Sequence, residues 1–112
     1  MLTASIVLFL YAAISGLVMA VGIFSGAKPW APLALGHGVL SAAALVLVLL
    51  VASATGAAAI KYGVAVLVLA ALGGFFLLSF HLRGKPHPWV AVVLHGLFAL
   101  GGVGCLVFAL LH

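Results

Sequence analysis

The sequence predicts an all-α integral membrane protein, a four-helix up-and-down bundle built from a duplicated helical hairpin. Three observations carry this expectation. Of 112 residues, 69% are hydrophobic and 4% charged, with no Asp and no Glu. Four apolar stretches of spanning length are separated by three short breaks, and the two halves of the chain repeat one another. A water-soluble domain carries about 25% charged residues, so Lys28, Lys61, Arg83 and Lys85 cannot clothe a soluble surface. Membrane is the solvent that a mean hydropathy of +1.58 fits.

A helix needs about 20 apolar residues to cross a hydrocarbon core of about 30 Å, so one transmembrane domain over 1–112 holds four crossings. Breaks fall at 26–32 (GAKPWAP), 53–62 (SATGAAAIKY) and 81–88 (HLRGKPHP), where Gly, Pro or charge supplies turn chemistry. The first helix is expected near 4–24; it lacks a basic start and runs to full spanning length, unlike a cleaved leader. The second is expected near 32–53, with Pro29 and Pro32 in its first turn, where a missing amide proton is harmless. The third is expected near 58–81, and the fourth near 88–111, opened by Pro86 and Pro88 in the same manner. Cys105, the only cysteine, lies inside the fourth span and reads as a small packing residue. Barrel strands would alternate over about ten residues, and no such alternation occurs.

Orientation follows from the cations. The first and third loops share one side and carry Lys28, Arg83 and Lys85, against Lys61 on the other. The positive-inside rule therefore places those loops in the cytoplasm and both termini in the periplasm. Trp30 and Trp89 belong at the headgroup level of that same side.

Sliding the chain by 58 positions superposes Gly16 on Gly74, Gly26 on Gly84, His37 on His95 and Gly38 on Gly96. A shift of 57 brings Lys28-Pro29 onto Lys85-Pro86, and 59 brings Trp30 onto Trp89. We read repeats of about 1–55 and 56–112. In an up-and-down bundle the second and fourth helices then run parallel and diagonally across the core.

The repeat singles out two of the five histidines. His81, His87 and His112 lie within reach of water or headgroups. His37 and His95 lie about seven residues inside their helices, or about 10 Å below the interface, where an ionisable side chain is a functional hypothesis by default. Each is followed by glycine, Gly38 and Gly96. Small residues recur on the same face: Ala34, Ser41 and Ala44 around His37, and Ala91, Ala99 and Gly102 around His95. Matched imidazoles with space between them point to the bis-histidine ligation of b-type haem. The haem carboxylates would face the basic side, with Arg83 and Lys85 as partners beside Lys28 and His87.

Alternatives stay open at this point. Small-residue faces also serve close helix packing, and a buried histidine also hydrogen-bonds to a neighbouring helix. A quinone headgroup could accept a hydrogen bond from either histidine. Two imidazoles are too few for structural zinc, and Met1 and Met19 are badly placed for a copper site at His81 and His87. The chain matches the small multidrug exporters in size but lacks their membrane-embedded Glu, which excludes proton coupling through a carboxylate. Serine hydrolase chemistry lacks its acid, phosphate and dinucleotide fingerprints are absent, and nothing suggests a nucleic-acid partner. An electron-transfer or accessory protein fits better than a stand-alone enzyme.

The segment RGKPHPWVAVVLHG, Arg83 to Gly96, resembles a loop-and-helix motif of small four-helix inner-membrane proteins of proteobacteria. The likeness covers the third loop and fourth helix, and the first half through the repeat. It implies a bacterial inner-membrane location and brings no activity with it. In layout, though not in motif, the chain is similar to the haem-carrying membrane anchors of respiratory enzymes. Two expectations result: a haem b protein exchanging electrons with quinone or a partner complex, or a cofactor-free subunit of a larger respiratory or photosynthetic membrane complex, with self-association also open.

Overall fold

The computed structural model describes all 112 residues and contains four helices: α1 (Leu2–Phe24), α2 (Ala31–Ala54), α3 (Ala58–Leu82) and α4 (Trp89–Leu111). Each is long and apolar enough to cross a membrane, and the protein is a multi-pass membrane four-helix bundle of 42 × 23 × 20 Å. None of the helices has a polar side. Leu10, Ile14, Leu17, Leu72, Phe75, Leu97 and Leu100 project outward from the bundle and are half or more exposed. Helices apolar on every face belong in lipid, whose tails are as apolar as leucine.

Both basic loops begin with the same device. After α1, Gly26 adopts φ +84°, with its N–H on the Ile23 carbonyl and the Ala27 N–H on the Gly22 carbonyl. After α3, Gly84 adopts φ +65°, with its N–H on His81 and the Lys85 N–H on Phe80. These are paired Schellman stops, in which a left-handed glycine lets the chain satisfy carbonyls that the helix end leaves unpaired. A side chain at either glycine would be strained.

The prolines differ from expectation. Only Pro32 stands in a first helical turn; Pro88 caps α4 from outside, and Pro29 and Pro86 lie in the loops. The reason is backbone geometry: Trp30 (φ −68°, ψ 124°) and Pro88 (φ −64°, ψ 121°) are extended, so α2 begins at Ala31 and α4 at Trp89. The prolines hold the approach to the helix in extended form, as fixed φ and the bias on the preceding residue require.

Consecutive helices pack side by side and α4 closes back on α1, leaving α2 and α4 diagonal to one another. The interior is tight at one end only. A cluster of Ile6, Phe9, Ala44, Val48, Ile60, Leu67, Val103 and Leu106 fills the end that carries the termini and the Thr55–Ala57 link. Gly63 and Gly102 sit back to back there, and a Cβ on Gly63 would stand 3.1 Å from the Gly102 carbonyl oxygen. Towards the basic loops Val92 is the one buried apolar side chain. His37 and His95 sit where the closed end gives way to this looser half.

Candidate cofactor site

His37 lies two turns into α2 and turns one ring edge to α1. Its Nδ1 is 2.7 Å from the Ala12 carbonyl oxygen and 3.3 Å from the Ser15 hydroxyl, which itself donates to the same carbonyl at 2.8 Å. His95 does the same one repeat later: its Nδ1 is 2.8 Å from the Ala70 carbonyl of α3. Both bonds span 25 positions. A carbonyl only accepts, so each Nδ1 must donate. The proton is thereby assigned to Nδ1, and each neutral ring is left with the Nε2 lone pair, which no hydrogen bond engages.

The glycines that make room are not those beside the histidines. A Cβ on Gly16 of α1 would stand 2.9 Å from His37 Cε1, and one on Gly74 of α3 would stand 3.2 Å from His95 Cε1. Gly16, Gly74 and the carbonyls of Ala12 and Ala70 thus form the two seats, each pair separated by the same 58 positions as the histidines. Sequence reasoning missed these roles, although the repeat had already matched Gly16 to Gly74. The seats differ at one point, because Ser15 of the first half is replaced by Gly73 in the second.

Across the diagonal the rings of His37 and His95 lie 6.0 Å apart, centre to centre, with planes at 78°. Two metal–imidazole bonds of about 2 Å each, together with the two half-rings, add up to about that separation, or slightly more. Metal-bound histidines characteristically donate the other ring N–H to a carbonyl, which fixes the tautomer. Both histidines have this arrangement, so the donor set fits iron held from two sides. No group of three or more His, Cys, Asp or Glu converges anywhere. Any metal here would have to bring its remaining ligands with it, as a tetrapyrrole does.

Other residues singled out from sequence are placed differently. Gly38 and Gly96 have nothing within 4 Å of an added Cβ and do not line the ring gap. Ala44 belongs to the closed core, and Gly102 lies against Leu67 and Gly63, so two turns beyond each histidine the helix is packed rather than open. Ser41 and Ala99 are half-buried next to that turn. Substitution sorts these glycines. Net of the helix propensity that alanine gains over glycine, we expect Gly16→Ala to lower stability by up to about 1 kcal/mol, since the ring must move off its carbonyl, while Gly38→Ala is neutral or slightly stabilising; unfolding in detergent micelles measures both.

Arg83 folds back on its own helix, its Nε 3.1 Å from the Ser79 carbonyl oxygen and its guanidinium 4.7 Å above the Phe80 ring. It therefore does not join Lys85. Lys85 lines a cavity of about 230 Å³ between the basic loops, shared with Lys28 and His87. The His87 ring is 6.2 Å from that of His81, whose buried Nδ1 has no partner. Burial, and secondarily the His81 imidazole, hold His87 below the usual histidine range. A depressed pKa means that the unfolded chain binds the proton more readily. Stability from this group is therefore intact above about pH 6.5 and declines as pH falls below it. The thermal midpoint should drop on acidification from about pH 7.5 to about pH 5.5, and drop less in His87→Gln; equal slopes would contradict this.

No family model, curated protein or solved structure matches the chain. Fold and site therefore define a class by themselves: a multi-pass membrane four-helix bundle with a pair of matched imidazoles in its interior.

Proposed function

We propose that the protein is a membrane-embedded b-type haem protein in which the imidazoles of His37 and His95 would hold the iron. One observation carries the reading: both Nδ1 atoms are committed to carbonyls, at Ala12 and Ala70, which leaves two Nε2 lone pairs on rings 6.0 Å apart. The chemistry such a group would supply, when bound, is one-electron exchange with quinone or a partner complex. The chain's own part is to hold and tune. Ala12 and Ala70 fix the tautomers and raise ligand basicity, Gly16 and Gly74 admit the rings, and the apolar shell excludes water. Neutral imidazoles avoid the cost of an isolated charge at this depth. The cofactor's carboxylates would face the basic end. By the positive-inside rule that end is cytoplasmic and the termini periplasmic, in keeping with the bacterial inner-membrane location that the Arg83–Gly96 resemblance implies.

The absorption spectrum of the purified protein in detergent tests the proposal. A reducible low-spin haem spectrum, native or after haem addition, supports it, and a preparation that stays colourless in both conditions ends it. One observation favours a second reading. The same histidine–carbonyl bonds would serve a cofactor-free subunit, since interhelix hydrogen bonds hold membrane bundles together. In that case gentle solubilisation and native gels would show the chain only within a larger assembly.

A further inference from the structure

We infer that the two basic loops together seat the phosphate of an anionic lipid headgroup. The cavity of about 230 Å³ between them is lined by Lys28 and Pro29 from one loop and their repeat counterparts Lys85 and Pro86 from the other, with His87 at its edge. The matched Schellman stops at Gly26 and Gly84 bring both Lys-Pro pairs to the same place. No hydrogen bond or ion pair inside the protein engages either lysine, and the chain has no Asp or Glu to neutralise them. This cavity therefore collects positive charge with nothing internal to balance it.

Depth indicates which anion completes it. Lys28 precedes the start of α2 and Lys85 that of α4, whereas the imidazole pair lies six positions inside each helix, or about 9 Å deeper. Trp30 and Trp89, both more than 60% exposed, follow the lining residues Pro29 and His87 by one and two positions, and exposed indoles belong at the level of the headgroups. α2 and α4 open towards the same end with no side-chain cap and no acidic residue in the first turn, so their free N–H groups add to the field. Basic pockets between membrane helices on the cytoplasmic side are suited to phosphate headgroups. The inference does not depend on haem, since none of its residues belongs to the imidazole pair.

Native mass spectrometry of the full chain in detergent, titrated with phosphatidylglycerol or phosphatidylcholine, provides the test. Wild type should retain one phosphatidylglycerol in preference to phosphatidylcholine. Lys28→Gln/Lys85→Gln should bind it about thirty-fold more weakly, the loss expected from two lysines at a membrane surface. Lys61→Gln, at the opposite end, should bind as wild type does. Undiminished binding in the double variant, equal retention of phosphatidylcholine, or an equal loss in Lys61→Gln would each overturn the inference. So would competition by millimolar inorganic phosphate, which would make free phosphate the ligand, or displacement of the lipid on haem loading, which would give the seat to the haem carboxylates.

Discussion

If the proposed haem is bound, alanine in place of His95 is expected to abolish its low-spin spectrum while leaving the bundle folded. The two consequences differ in magnitude. Removing the imidazole forfeits the hydrogen bond to the Ala70 carbonyl, and interhelix hydrogen bonds in membranes average about 0.6 kcal/mol. That is too little to unfold four spans held by their own backbone bonds. Losing an axial ligand must cost more than losing the outer-shell partner of one, which by itself lowers metal affinity roughly 10- to 100-fold. On the haem proposal the spectrum should therefore vanish while helicity and elution volume stay at wild-type values. His37→Ala should behave alike, and the double variant should be no worse than either single one, because the two rings act as a unit. His81→Ala should retain the spectrum, since its ring faces His87 at the loop. If His81→Ala proved as damaging as His95→Ala, the ligand assignment would be wrong.

The largest effect on stability is expected at Gly102. A Cβ there would stand 2.5 Å from Leu67 Cγ and 3.2 Å from the Gly63 carbonyl oxygen. Leu67 is held by the closed core, and the Gly63 backbone cannot retreat without moving α3. Alanine gains about 1 kcal/mol of helix propensity over glycine, but overpacking a closed contact costs about 1–3 kcal/mol, and here two obstacles coincide. Gly102→Ala should thus be destabilised by about 1–2 kcal/mol net of propensity, and Gly102→Val more. Gly101 and Gly104, one and two positions away on the same helix, have nothing within 4 Å of an added Cβ. Their alanine variants should match or exceed wild type. Denaturant unfolding in micelles ranks the three, and a Gly102→Ala as stable as Gly101→Ala would show that the α3–α4 contact is looser than described.

These glycines illustrate how unevenly the fold was legible. Gly101, Gly102 and Gly104 look alike in sequence, a patch suited to close packing, yet only Gly102 faces another backbone. Gly38 and Gly96 stood out by adjacency to the histidines, whereas the work of making room falls to Gly16 and Gly74 on the other helix of each hairpin. A one-dimensional reading finds neighbours along the chain, and contacts across helices leave no mark beside the residue they serve. The repeat was the one signal able to cross that gap, because Ala12, Gly16 and His37 recur together as Ala70, Gly74 and His95. Arg83 is placed by a related effect. It caps its own helix through Ser79 and Phe80, a local option that proximity in the loop did not disclose.

By itself the sequence determined the number of spans, their limits to within a residue or two, the hairpin repeat and the pooling of three cations at one end. Lipid imposes these directly, since hydrocarbon admits only closed backbone hydrogen bonding and tolerates charge only at its borders. Tertiary structure alone decided which faces meet. A helix that is apolar all round carries no periodic signal of its buried side, so the packed end, the outward Gly38 and Gly96, and the two carbonyls that orient the imidazoles follow from how backbones nest against one another in three dimensions.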